Sequence, residues 1–343
     1  MERNSTYLEL SIETTELRKH LKNGFYKGSD QGNEYRMAQK LKEILFTIFK
    51  SLIKPLSGLG IGRIKIIKVI LSYLVFFFRD SAITVDGFKM YICQYFKTEI
   101  MDEYGMDFLF SGKWEPYTSK LFINEITKGM TVVDVGANIG YFTLLGSSSL
   151  GDKGKVYAFE PDERNFDLLL KNIELNCFDN IIPVRRAVSN VTGESLLFLN
   201  RYSGWHSLVN AHGNFVSSVV VETVTLDDYF ANSDSVIDVV KIDVEGAEIS
   251  VIQGMRQQIE KNESIKIFIE FSPECINKSG FSTEEFWEQL LMLGFNYIYL
   301  IDEIDQNIYE VDHTRAMDYY NQKFKSIGSF NLLCSKSPSH VIS

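Results

Sequence analysis

A chain of 343 residues with 45% hydrophobic and 23% charged composition can build one large α/β domain plus an appendage. Its net charge of −10 and pI of about 5.2 exclude a globally basic surface, so nucleic acid is not expected as a partner. Cys93, Cys177, Cys275 and Cys334 stand far apart, with no CxxC pair or Cys/His cluster, which excludes a structural zinc site on spacing and fits reduced thiols.

Met1 to Gly32 is polar and mixed in charge, so no secretory signal is expected. Residues 1–80 read as a basic, amphipathic helical extension. Between Lys40 and Arg79 eight basic residues face one acid, Glu43. Ile44, Leu45, Ile48, Phe49, Leu52 and Ile53 recur at helical spacing, as do Ile66, Ile67, Ile70 and Leu74. Two uses fit these stripes: packing on the catalytic domain or a second subunit, or peripheral contact with an anionic membrane through residues 40–79. The most apolar run, Val69–Phe78, is too short for a bilayer, which takes about 20 apolar residues. A soluble, cytoplasmic protein is expected.

From residue 81 a second unit begins, with 81–128 as lead-in and 129–335 as core. Ile83–Ile92 predicts a hairpin turning at Asp86-Gly87. Thr131–Val135, Lys155–Glu160, Ile181–Val184, Ile237–Asp243 and Ile265–Glu270 are nearly continuous apolar runs, as strands buried on both faces require. Helices are predicted between them, including Arg164–Asn176 and Ala247–Glu260. Gly193–Val224 reads as a hairpin region, and Ser282 with Glu285 as a capping box. Phe295–Ile301 and Phe330–Cys334 bring the strands to seven. Alternating strands and helices predict a doubly wound, mostly parallel, Rossmann-like sheet.

The chemistry concentrates at strand ends. VDVGANIGYF, Val133 to Phe142, is a strand, a glycine turn and a helix start. Asn138 stands where a dinucleotide fingerprint carries its second glycine, which crowds a pyrophosphate. S-adenosylmethionine has none. Asp134 suits the ligand's cationic end, Gly136, Ala137 and Gly140 the close turn, and Asn138 the methionine part. Glu160 follows Gly140 by twenty residues, the spacing for a carboxylate that accepts ribose hydroxyls. Ala187 and Val188 fall where a small-residue loop touches adenine. KIDVEGAE, Lys241 to Glu248, places Asp243 and Glu245 near the transferred methyl, with Glu248 as a helix-dipole residue. Glu270 ends the next strand at the same rim.

With these motifs, Trp114–Tyr117 (WEPY), YAFEPDERN, TLDDYF (Thr225–Phe230) and IFIEFSP, the sequence from about Ile83 to Cys334 resembles the FkbM methyltransferases. The resemblance implies a class I methyltransferase fold, S-adenosylmethionine as donor, and O-methylation of a sugar or natural-product hydroxyl. It implies cofactor contacts from Asp134, Gly136, Asn138, Gly140 and Glu160 and their neighbours Ala137 and Tyr141, with Glu115 closing over the ligand. The first eighty residues inherit nothing from it.

Methyl transfer is an in-line displacement that needs the acceptor aligned about 3 Å from the methyl carbon. A base adds roughly 10²–10⁴-fold. Asp243 is expected to serve, assisted by Glu245 or by His206 of SGWHSL. Competing expectations are a nicotinamide-dependent oxidoreductase, a non-catalytic membrane scaffold, and magnesium-assisted transfer with Asp243 as ligand, which the spacing does not demand. The acceptor expected is a small molecule, glycan or glycolipid, selected by Gly193–Val224, the loop after Glu270 and the N-terminal part.

Overall fold

The computed structural model describes Leu45 and residues 82–91, 112–200, 203–211, 213 and 215–339. The basic helices expected between 40 and 79 therefore lie outside the described residues, Leu45 apart, as do His20, His212 and His340. Among the described residues no helix is long and apolar enough to cross a membrane.

A hairpin comes first, β1 (Ile83–Val85) and β2 (Phe88–Met90). Asp86 (φ 44°) and Gly87 (φ 91°) both take left-handed backbone, the turn an Asp-Gly pair favours. Next come α1 (Pro116–Glu125), β3 (Thr131–Val135), α2 (Tyr141–Leu150), β4 (Lys155–Phe159), α3 (Glu163–Asn176) and β5 (Ile181–Val184). A small sheet follows, β6 (Ala187–Val188), β7 (Gly193–Leu199) and β8 (Ser217–Val224), in the order β6-β8-β7. The chain then runs through α4 (Leu226–Tyr229), β9 (Val239–Ile242), α5 (Glu248–Gln253), α6 (Arg256–Lys261), β10 (Lys266–Phe271), α7 (Pro273–Lys278) and α8 (Thr283–Met292). The capping box of Ser282 and Glu285 opens α8. It closes with β11 (Tyr297–Asp302), β12 (Asn307–Glu310), α9 (His313–Tyr319) and β13 (Phe330–Ser335).

The central sheet has the order β12-β11-β13-β10-β9-β3-β4-β5. Its middle, β10-β9-β3-β4-β5, is parallel, while β13 lies antiparallel between β10 and β11. All seven expected strands are present. The eighth, β12, is a short antiparallel edge strand from a segment whose polar sequence carries no strand periodicity.

Alternation along the strands divides the core. Val132, Val156, Val239 and Phe268 face α1, α2 and α3. Val133, Val240, Ile267 and Ile269 face α5, α6, α7 and α8. A period of two with apolar residues in both phases makes a strand covered on both sides.

The helix expected over Ala247–Glu260 is broken into α5 and α6. A Cβ on Gly254 would lie 2.0 Å from the Ser189 carbonyl oxygen, so this glycine admits a neighbouring chain against the helix. Asp227 caps the second piece, accepting from Gln257 N (3.2 Å) and Gln258 N (3.1 Å). The chain winds outward from β3 through β4 to β5 and returns to β9 on the other side of β3. That reversal opens a crevice at the carboxyl ends of β3 and β9, where open α/β sheets take ligands.

Candidate active site

Gly136 (φ 79°) closes the two strand ends on each other. A Cβ there would sit 1.9 Å from the Asp243 carbonyl oxygen. Gly140 (φ 96°) begins α2, where a Cβ would meet Leu169 Cδ1 at 2.6 Å. Between them Asn138 takes left-handed backbone (φ 51°), which asparagine tolerates better than most residues. The turn spends its donors internally. Gly136 N and Ala137 N donate to the Phe159 carbonyl (3.0 and 2.9 Å), and Gly140 N to that of Ala137 (2.8 Å). An anion cradle would keep such groups pointed outward.

Glu160 is 5% exposed. Its Oε2 accepts from Asn138 N (2.8 Å) and its Oε1 from Asp162 N (2.9 Å). Burial pushes its pKa up to about 8 against the effect of those hydrogen bonds. The Asn165 side chain adds a third hydrogen bond, which leaves the carboxylate capacity for one further hydroxyl donor. Asp134, also buried, accepts from Thr143 Oγ1 at 2.5 Å. Burial raises it to about 6, while Thr143 and Lys241 pull the other way.

Across the crevice stands Lys241, in β9 and wholly buried. Its Nζ is 3.2 Å from Asp243 Oδ2 and donates to Asn331 Oδ1 at 3.2 Å. It also lies 5.1 Å from the centre of the Phe142 ring. Burial opposes its charge, but Asp243, Glu115 and Glu270 overcome that and hold it protonated. Asn331, in β13, donates to Glu115 Oε2 at 2.9 Å. Glu115, with left-handed backbone (φ 42°), precedes α1. Its pKa is raised to about 7, chiefly by burial. The first turn of α1 is held from a distance, because Glu303 accepts from Tyr117 N (3.0 Å) and Thr118 N (2.6 Å).

Asp243 follows β9, and Glu245 (φ 55°) sits in the turn that Gly246 completes. Glu270 lies near the end of β10 and accepts from Ser329 Oγ at 2.6 Å. Burial and then mutual repulsion push Glu245 and Glu270 well above the ordinary carboxylate range. One oxygen from each of Asp243, Glu245 and Glu270 lies within 4.8 Å of the others, close enough to hold a cation together. Glu248 accepts from Gly246 N (3.0 Å), the helix-start role expected of it.

The structure thus gathers Asp134, Gly136, Ala137, Asn138, Gly140, Glu160, Glu115, Asp243 and Glu245 around one crevice. The other four expected residues are placed as follows. His206 Nδ1 accepts from Asn200 N (3.0 Å), and the charges acting on the ring are those of Asp162 and Arg164. Burial lowers its pKa, and the ring sits in the loop between β7 and β8. Tyr141 is buried, and its hydroxyl donates to Asp86 Oδ2 (2.5 Å), which ties α2 to the β1–β2 hairpin rather than to the crevice. Ala187 and Val188 are buried in β6, Val188 within the apolar core.

Lys241, Asn331 and Glu303 escaped the reading of the sequence. Only Lys241 left a signal there, a lone charge inside the apolar run of β9. The other two act on partners 185 to 216 residues away.

A doubly wound sheet with an antiparallel strand inserted near one edge, a glycine turn after β3 and an acid after β4 is the class I, Rossmann-like methyltransferase architecture. Residues 134–299 match the family described as Methyltransferase FkbM domain. The hexuronic acid methyltransferase AglP of Haloferax volcanii is 30% identical over 147 residues, 41% of this chain and 56% of that protein. The catalytic subunit of a tRNA (adenine(58)-N(1))-methyltransferase of Yarrowia lipolytica is 38% identical over 66 residues, 19% of this chain and 17% of that protein. Among solved structures, the FkbM methyltransferase of Methylobacillus flagellatus KT is 15% identical with a TM-score of 0.38, covering 68% of this chain and 55% of that one. The chain spans little more than half the length, or less, of these relatives.

Proposed function

We propose that this protein transfers a methyl group from S-adenosylmethionine to a hydroxyl oxygen of a small sugar-like acceptor. The observation carrying this reading is the pairing of two unlike carboxylate sets across one crevice. Glu160 and Asp134 stand on the side of β3 and β4, and Asp243, Glu245 and Glu270 on the side of β9 and β10.

The donor fits the first set. Glu160 keeps acceptor capacity for a ribose hydroxyl, Asp134 supplies negative charge beneath the turn, and the turn reserves no outward row of N–H groups for a pyrophosphate. Ala137, Asn138 and Gly140 would shape the methionine end, with Glu115 above it. When bound, the donor supplies an electrophilic methyl on a sulfonium. The chain's own work is to orient the acceptor, exclude water and receive a proton. Asp243, fixed by Lys241, orients the hydroxyl, and Glu245 is the neighbouring carboxylate for its proton.

A crevice lined by carboxylates repels phosphate, which favours a neutral or hydroxyl-rich acceptor over RNA. The hexuronic acid methyltransferase relative supports the same class, sugar O-methylation. The residues before 82 would offer peripheral membrane contact if the acceptor is lipid-linked.

Calorimetry with S-adenosylmethionine, its demethylated product and NAD is the first test. The expected result is saturable binding of the first two and none of NAD. Labelled methyl transfer to a panel of glycosides, hexuronides, polyols and RNA follows. Donor binding without transfer to any acceptor would favour a non-catalytic role, and transfer confined to RNA would overturn the acceptor class.

A further inference from the structure

Three half-buried carboxylates this close can all be ionised together only beside a counter-charge. Buried charges are otherwise neutralised by a proton, paired, or coordinated to metal. Lys241 serves Asp243, at 3.2 Å. Glu270 has only half its hydrogen bonds: Oε1 accepts from Ser329, while Oε2 is fully buried and receives none. Beside the cluster Glu248, 2% exposed, has an Oε2 in the same condition. Its charge acts on both Glu245 and Glu270. Buried polar atoms nearly always have partners, so orphan carboxylate oxygens at a three-acid cluster point to a cation.

The dimensions agree. Oxygens around an octahedral magnesium at about 2.1 Å lie roughly 3.0 to 4.2 Å apart. The observed limit of 4.8 Å closes to this range with slight rotation of the side chains. An all-oxygen donor set selects hard cations over zinc or copper.

We propose that Asp243, Glu245 and Glu270 bind a divalent, oxygen-seeking cation, Mg²⁺ or Mn²⁺, and that this cation holds the acceptor through two adjacent oxygens. Three carboxylates leave about three of six positions for water or acceptor. A vicinal diol, or a hydroxyl beside a carboxylate, fills two of them. The cation would make the bound hydroxyl more acidic, and its proton passes by way of the second oxygen of Glu245 to solvent. The new O–C bond then forms as the methyl–sulfur bond breaks, its electron pair staying on sulfur, which becomes a neutral thioether. No atom changes metal-side oxidation state, and no further reactant is needed. This inference rests on the methyltransferase reading.

The test is manganese binding by the full chain, followed by the loss of the free-ion electron paramagnetic signal. One saturable site is expected, weakened at least about tenfold in Glu270→Gln and Glu245→Gln. Thermal melting separates lost ligation from lost folding, and the milder of the two variants keeps the comparison usable. A vicinal-diol sugar should lower the water-proton relaxation caused by bound Mn²⁺, and a monodeoxy analogue should not. An absence of saturable binding, or a site indifferent to both variants, overturns the cation. Equal effects of diol and monodeoxy sugars overturn the two-oxygen acceptor. Donor calorimetry in EDTA keeps the two readings apart. Normal donor binding and full methyl transfer without metal would sink this inference alone, whereas absent donor binding with intact manganese binding would sink the methyltransferase reading.

Discussion

The two sides of the crevice are built on opposite principles. On the β3–β4 side the buried acids are supplied from the chain itself: Glu160 accepts two backbone N–H groups and Asp134 a threonine hydroxyl. On the β9–β10 side acids crowd one another around a single buried lysine, and Glu270 retains an orphan oxygen. The first side is preorganised and changes little when a ligand arrives. The second is under electrostatic stress that a ligand relieves. On the proposed function, binding of a common donor calls for the former, and handling of a particular acceptor for the latter.

Substitutions can break this contrast. Gly136→Ala should do most damage, since it adds a Cβ 1.9 Å from the Asp243 carbonyl at a left-handed φ and so pushes the two sides apart. A cost on the order of 3–5 kcal/mol follows from strain plus overpacking, read as a fall in denaturation midpoint with loss of donor heat. Lys241→Met should cost about 3–5 kcal/mol, because it leaves buried carboxylates without their cation. A variant as stable as the parent would mean that the acids there are neutral and the stress is absent.

Glu160→Gln should weaken donor binding by roughly one to two orders of magnitude, because an amide N–H₂ replaces one acceptor oxygen. It also tests pH dependence. The Glu160 pKa is raised from 4.5 to about 8 in the folded chain, so the native state holds a proton that the unfolded state releases. Stability of the ligand-free protein should therefore fall as pH rises through that window. Melting temperature against pH checks the slope, and Glu160→Gln should flatten it. Glu303→Ala should have the smallest effect, about 1 kcal/mol, as for loss of a helix cap. If donor affinity falls more than stability does, Glu303 governs how Glu115 is presented.

The parallel strands were legible because burial on both faces writes itself as uninterrupted Val, Ile and Phe. The bounds of β3 and β5 can be read directly from such runs. Strand-end acids could be read for a related reason, since charge directly after an apolar run marks the rim of the sheet. What depended on distant partners could not be read. Asn331 matters because it meets Glu115, and Gly254 breaks a helix because Ser189 passes it, neither of which leaves a local pattern. The polar edge strand β12 needs pairing only along one side, so little apolar periodicity was required of it.

The place of β13 bears on synthesis. Of the described strands β13 is the last to leave the ribosome, and it is inserted between two made before it, β10 and β11. Until Ser335 is out, those two expose facing rows of unpaired amides, an invitation to pair with other chains. Asn331 arrives on the same strand, so the link between Lys241 and Glu115 is completed at the moment that gap is sealed. A nascent chain cannot complete the polar crevice before this pair of open edges has disappeared.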